Sequence, residues 1–188
     1  MSTKEVRTTL LITFALAALS PLHAQEIVHA TAGAIADGTS KGSLSIQEPD
    51  QSVQVFRISG PSSVQVDFDK SLRAKAETVD KLATTKTNVI VYFYGYSPET
   101  VIAVRELGSK VEHLRGKITH SDKGRHTITI HAEDGKDHIC YVEADTTMET
   151  SSGVTNGAKD FPKKGQNVRA VCREDAGKEE AQLIVMLL

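Results

Sequence analysis

Apolar residues recur along this chain with two different periods, and each predicts a different element. Through most of it the period is two. Leu44 and Ile46 alternate with polar residues in SLSIQ, and Ile128 and Ile130 do so in TITIHA. Successive side chains of a strand point to opposite faces, so such runs, bounded by Pro49-Asp50 or Asp134-Gly135, predict half-buried strands joined by tight turns. One segment differs. DKSLRAKAETVDKL (69–82) sets Leu72, Ala76, Val79 and Leu82 at helical spacing, with Asp69 in the position of an N-cap, and predicts a helix.

The strand patterns repeat. GAIADGTSKGSLSIQEPDQSVQVF from Gly33 matches GKITHSDKGRHTITIHAEDGKDHIC from Gly116 at an offset of 83 residues. LATTKTNVIVYF (82–93) matches FPKKGQNVRAVC (161–172) at an offset of 79. Each half then closes on an apolar strand, TVIAVREL (100–107) or AQLIVMLL (181–188). The shift between offsets requires only small insertions, so the expectation is an internal duplication. About five strands per half, with the helix between the third and fourth, is the order of an OB-fold, a small barrel whose closure hides its strand edges. The expected fold is therefore all-β: two tandem five-stranded OB-like barrels, the first with one short α-helix. Residues 25–108 form the first and residues 109–188 the second. In the second half TSSGVTNGAKD replaces the helix and predicts a loop.

Gly116-Lys117-Ile118, the stretch Phe161-Pro162-Lys163-Lys164-Gly165-Gln166-Asn167-Val168 and Ala181 together resemble a family of small exported bacterial β-barrel domains of unknown function. The resemblance covers about 75 residues of the second half, and in the first half Lys86 stands where Gly165 does. It implies a fold and an envelope location, and no activity.

The N-terminus agrees with export. Lys4 and Arg7 precede the apolar run LLITFALAAL, then Ser20-Pro21 and a small residue, Ala24. That order predicts a secretory signal peptide over residues 1–24, and the run is short of the ~20 apolar residues needed to span a bilayer. A periplasmic or secreted location follows, with no membrane span after cleavage.

A formal net charge of −2 with both signs interspersed excludes an electrostatic case for nucleic acid. Phosphate-loop, zinc-protease and nucleophile-elbow motifs are absent, so no catalytic residue, no cofactor and no enzymatic activity are expected. Five of the seven histidines lie between residues 113 and 138. His120 with His126, and His131 with His138, flank opposite turns, which makes them candidate copper or zinc ligands at two barrel rims; solvated hairpin positions explain them equally well. Cys140 and Cys172 align with Phe56 and Phe93 of the first half. Two positions that change together suggest neighbours, so a disulfide, buried thiols and thiol ligation beside His138 are all open.

The last feature is VYFYGY (91–96). Parity puts Val91 and Phe93 in the core and turns Tyr92, Tyr94 and Tyr96 to the other face, as an expected binding surface. Packing under the helix or against the second barrel is the alternative. The expected function is a non-enzymatic binding or assembly module whose partner is a protein, peptide or glycan of the cell envelope. The runner-up is a metal-binding envelope protein.

Overall fold

The structure is a computed structural model that describes residues 26–36, 42–58, 68–79 and 87–187. The expected signal segment, residues 1–24, lies outside the described residues, as do Leu82 and Lys86. The protein is all-β. Its first half contains β1 (His29–Ile35), β2 (Ser43–Gln47), β3 (Val53–Ile58), α1 (Lys70–Arg73), β4 (Asn88–Tyr94) and β5 (Thr100–Gly108). These strands close a barrel in the order β1-β2-β3-β5-β4.

The second half contains β6 (Val111–Asp122), β7 (Thr127–Ala132), β8 (Asp137–Tyr141), β9 (Thr147–Thr150), β10 (Gly153–Asn156), β11 (Asn167–Asp175) and β12 (Lys178–Leu187). They form one sheet in the order β10-β9-β12-β11-β6-β7-β8, and a parallel pairing of β8 with β12 joins β6, β7, β8, β12 and β11 into a ring. Equivalent pairs recur in the two halves. Gly33 faces Val89 and His29 faces Phe93 in the first; Gly116 faces Val168 and Glu112 faces Cys172 in the second.

The paired glycines have one physical cause. A β-carbon on Gly33 would lie 2.4 Å from the carbonyl oxygen of Gln47, and one on Gly116 would lie 2.1 Å from that of His131. The strand crosses its neighbour too closely at these points for any side chain.

Three apolar clusters organise the molecule. Leu44, Ile46, Phe56, Val89, Val91 and Val104 fill the first barrel. Ile118, Ile128, Ile130, Met148, Val168 and Ile184 belong to the core of the second. The third cluster lies between the halves, where Ala30, Ala32, Ile90, Tyr92 and Ala103 of the first meet Val171 and Leu183 of the second, with Leu72 of α1. Strand β4 is therefore buried on both faces. That explains its unbroken apolar run, which a half-exposed strand would not carry.

Polar contacts reinforce this interface. Glu149 lies 2.7 Å from His29 Nδ1 and accepts a hydrogen bond from the Ala30 amide at 2.9 Å. Burial raises the Glu149 carboxyl above its ordinary value, against the lowering effect of His29. Arg105 donates to Gln182 at 2.9 Å, and Lys159 donates to Asp69 at 2.7 Å.

Two expectations need correction. The helix ends at Arg73 rather than running to residue 82, because the backbone of Glu77 exchanges two hydrogen bonds with Val104 of β5. Leu72 and Val79 consequently pack into different clusters. The predicted loop TSSGVTNGAKD contains the β9–β10 turn and all of β10. Strand β10 pairs antiparallel with β9, which itself lies parallel to β12, so an edge available in the tertiary structure orders residues whose local composition favours a loop.

Candidate functional sites

The tyrosines do not form a common exposed stripe. Tyr92 is fully buried, packed on Phe68 with ring centroids 4.7 Å apart and hydrogen-bonded through its hydroxyl to Thr147 Oγ1 at 2.8 Å. Burial raises its phenol above the ordinary value. Tyr94 is also buried, and Tyr96 alone is exposed, at 93%. The parity is as expected, since all of Val89, Val91 and Phe93 pack on the first barrel's core. What corrects the exposure is the second half, which covers the outer face of β4.

The four candidate histidines separate. His131 pairs with Asp137, its Nδ1 2.8 Å from Asp137 Oδ1, on the outer face of β7. His138 is the partner of Ile130 and shares the inward face. The expected His131–His138 pair thus points to opposite sides of one sheet. His120 is exposed, and His126 lies against Phe161 with ring centroids 6.5 Å apart. Among the described residues the one group of three metal-type ligands is Glu112, His138 and Glu179.

Those three side chains occupy inward positions at one end of the second barrel. Glu112 shares the parity of Leu114, and Glu179 is the parallel partner of Cys140. Just below them Cys140 and Cys172, on strands not paired with each other, bring their sulfur atoms to 2.8 Å across the barrel interior. The Cys172 thiol is pushed well above its ordinary value, first by its contact with Cys140 and then by burial. Glu112 and Glu179 escaped the sequence reading, although a signal was present: each is a carboxylate at the parity of apolar core residues.

A second site is a cleft of about 260 Å³ between the halves. Ala32, Leu114, Ala170, Val171, Leu183 and Val185 give it an apolar lining. Glu48, from the turn after β2, accepts a hydrogen bond from Thr31 at 2.7 Å and faces Arg169 at 3.7 Å. On the same wall Arg115, the cross-strand partner of Arg169, lies 3.2 Å from Glu133. His113, two residues along β6 from Arg115, is part-buried, and burial lowers its imidazole below the ordinary value, against the opposing charge of Glu48. The neutral ring is thereby favoured at pH 7, leaving one nitrogen to donate and one to accept. The cleft was not legible in the sequence, since its two walls come from different halves.

Comparison with protein-family models gives no match, and comparison with curated proteins gives none either.

Proposed function

We propose that this is an exported, non-enzymatic binding module of the bacterial cell envelope, built by duplication of an OB-like barrel, which takes a short peptide in the cleft between its halves. The observation that carries this reading is the chemistry of that cleft. An apolar floor is bordered by Arg169 and Arg115, side by side on β11 and β6; Arg115 pairs at 3.2 Å with exposed Glu133, and Arg169, itself half-exposed, stands 3.7 Å from the mostly buried Glu48, beyond hydrogen-bond distance. An exposed ion pair contributes ~0–1 kcal/mol, so Arg115 can exchange Glu133 for a ligand carboxylate at small cost, and Arg169 can receive one without breaking a hydrogen bond to Glu48. The floor then takes an apolar side chain, and neutral His113 meets a peptide amide or carbonyl.

Duplication is supported by the shared pairing order and by the matching glycines, Gly33 and Gly116, at equivalent crossings. Export is supported by the order of charge, apolar run and small residue over residues 1–24. Among the described residues no helix is long and apolar enough to cross a membrane.

The test is an amide chemical-shift titration with short peptides ending in an apolar residue and a free carboxylate. Shifts at Thr31, His113 and Val171, weakened about tenfold by Arg169→Ala, are expected. A titration that leaves these three amides unmoved refutes the reading.

A further inference from the structure

We infer that the end of the second barrel that holds Glu112, His138 and Glu179 is a binding site for a divalent transition-metal cation. This site is separate from the cleft and does not depend on the peptide reading. His138 Nδ1 stands 3.7 Å from Glu112 Oε2 and 3.8 Å from Glu179 Oε2, and its Nε2 stands 3.7 Å from Asp134 Oδ2. Each gap is too long for a hydrogen bond. The donor atoms of Glu112, His138 and Glu179 nonetheless all lie within 4.8 Å of one another. A cation bonded at about 2.0–2.2 Å to nitrogen and oxygen holds its ligands roughly 3.4 Å apart in tetrahedral geometry, so the two gaps from His138 to the glutamates are within a few tenths of an ångström of a coordinating distance.

Two further features belong to a cation site rather than to an ordinary polar rim. The His138 side chain is only 12% exposed, and its Nδ1 is the ring nitrogen that faces both glutamates, while the buried Nε2, without a hydrogen-bond partner, faces Asp134 on the other edge of the ring. A cation on Nδ1 leaves the proton on Nε2, on the side of the Asp134 carboxylate, which is the outer partner that a metal-ligating histidine ordinarily has. Glu112 and Glu179 converge on this ring, and neither has a lysine or arginine within ion-pair distance among the described residues. By contrast Asp69 is answered by Lys159, and Asp145 by Lys75 and Arg105. Two facing carboxylates with one imidazole form a charge deficit that a divalent ion removes.

The donor set selects the class of ion. One imidazole and two carboxylates suit borderline cations such as Zn²⁺ better than Ca²⁺, which prefers six to eight oxygens. The strands on which these ligands sit are fixed by the ring of β6, β8 and β12. The site is therefore preorganised by the barrel rather than by a loop. Cys140 Sγ approaches Glu179 Oε2 at 3.9 Å, so the thiol pair lies directly beneath the carboxylates.

The experiment is a Zn²⁺ titration of the purified protein against a chromophoric chelator, with circular dichroism confirming the fold of each variant. One Zn²⁺ per chain is expected, weakened at least tenfold by His138→Ala and by the near-isosteric Glu112→Gln and Glu179→Gln, and unchanged by His131→Ala. In parallel, Co²⁺ is expected to broaden the His138 ring resonances before those of His120 or His126. Absence of stoichiometric binding overturns the inference. So does binding that survives His138→Ala and Glu179→Gln yet is lost in a Cys140→Ser, Cys172→Ser protein, because the ligands would then be the thiols alone.

Discussion

Phe56 and Phe93 meet inside the first barrel with ring centroids 5.0 Å apart, although they stand on β3 and β4, which do not pair. The aligned positions in the second half, Cys140 and Cys172, likewise meet across the interior, at 2.8 Å between sulfurs. The same lumenal contact is filled by two rings in one case and two thiols in the other.

The thiol contact leads to a redox prediction. In an oxidising compartment the pair is expected to form a disulfide, so the isolated protein should resist alkylation until it is reduced. The cysteines are 32 residues apart, and closing that loop is expected to add roughly 3–4 kcal/mol. Mass spectrometry after labelling in denaturant checks this; prompt modification of both cysteines without reductant rules it out.

Tyr92 tests the interface between the halves. Tyr92→Phe keeps the ring but leaves buried Thr147 Oγ1 without its 2.8 Å partner, and is expected to cost about 1–2 kcal/mol. Tyr92→Ala opens a cavity beside Phe68 and Leu72 and is expected to cost about 3–5 kcal/mol. Urea unfolding measures both. Equal stability of Tyr92→Ala and the parent protein would contradict the burial described above.

Asp69 predicts an acid limit to stability. Its carboxyl caps α1 through the Ser71 and Leu72 amides and also binds Lys159 and Asn156 of the second half. Burial opposes its ionisation, yet hydrogen bonds from Lys159, Ser71 and Asn156 override that and hold it far below its ordinary value of 3.8. A carboxylate depressed on folding contributes stability that is complete above its unfolded value and is lost as pH falls below it toward the folded one. Asp69→Asn is therefore expected to destabilise by about 1–3 kcal/mol at pH 7, with the difference from the parent shrinking below about pH 4. Thermal melts across pH 3–7 provide the readout, and a difference that grows on acidification would reverse the sign.

Gly116 tests the close approach of β6 to β7. Gly116→Ala would place its methyl carbon 2.1 Å from the His131 carbonyl oxygen, so the backbone must shift, at an expected cost of roughly 1–3 kcal/mol. At Gly124, in the β6–β7 turn, the nearest atom is a side-chain oxygen at 3.4 Å, and Gly124→Ala is expected to stay within about 0.5 kcal/mol of the parent. Chemical denaturation of the two variants separates close approach from general glycine loss.

Period-two alternation was enough to place most of the strands, because a one-sided strand must alternate apolar and polar residues whatever it packs against. The same local rule made Leu44, Ile46, Ile128 and Ile130 legible as core, and the aligned Phe56/Phe93 and Cys140/Cys172 legible as neighbours. Alternation failed on β4, where Ile90 and Tyr92 are as buried as Val89 and Val91. Its unbroken apolar run already signalled a second covered face, but not what covers it.

What the sequence determined by itself is the set of properties carried by short-range chemistry: strand periodicity, tight turns and the cap at Asp69. The tertiary structure decided which faces meet. It covered Tyr92 with Val171 and Leu183, ended α1 by pairing Glu77 with Val104, and drew β9 onto β12. It also brought Glu112, His138 and Glu179 together from three strands, and separated His131 from His138. Side-chain parity along one strand is fixed by backbone geometry, whereas the partner of each face depends on barrel closure and on contacts between residues far apart in the chain.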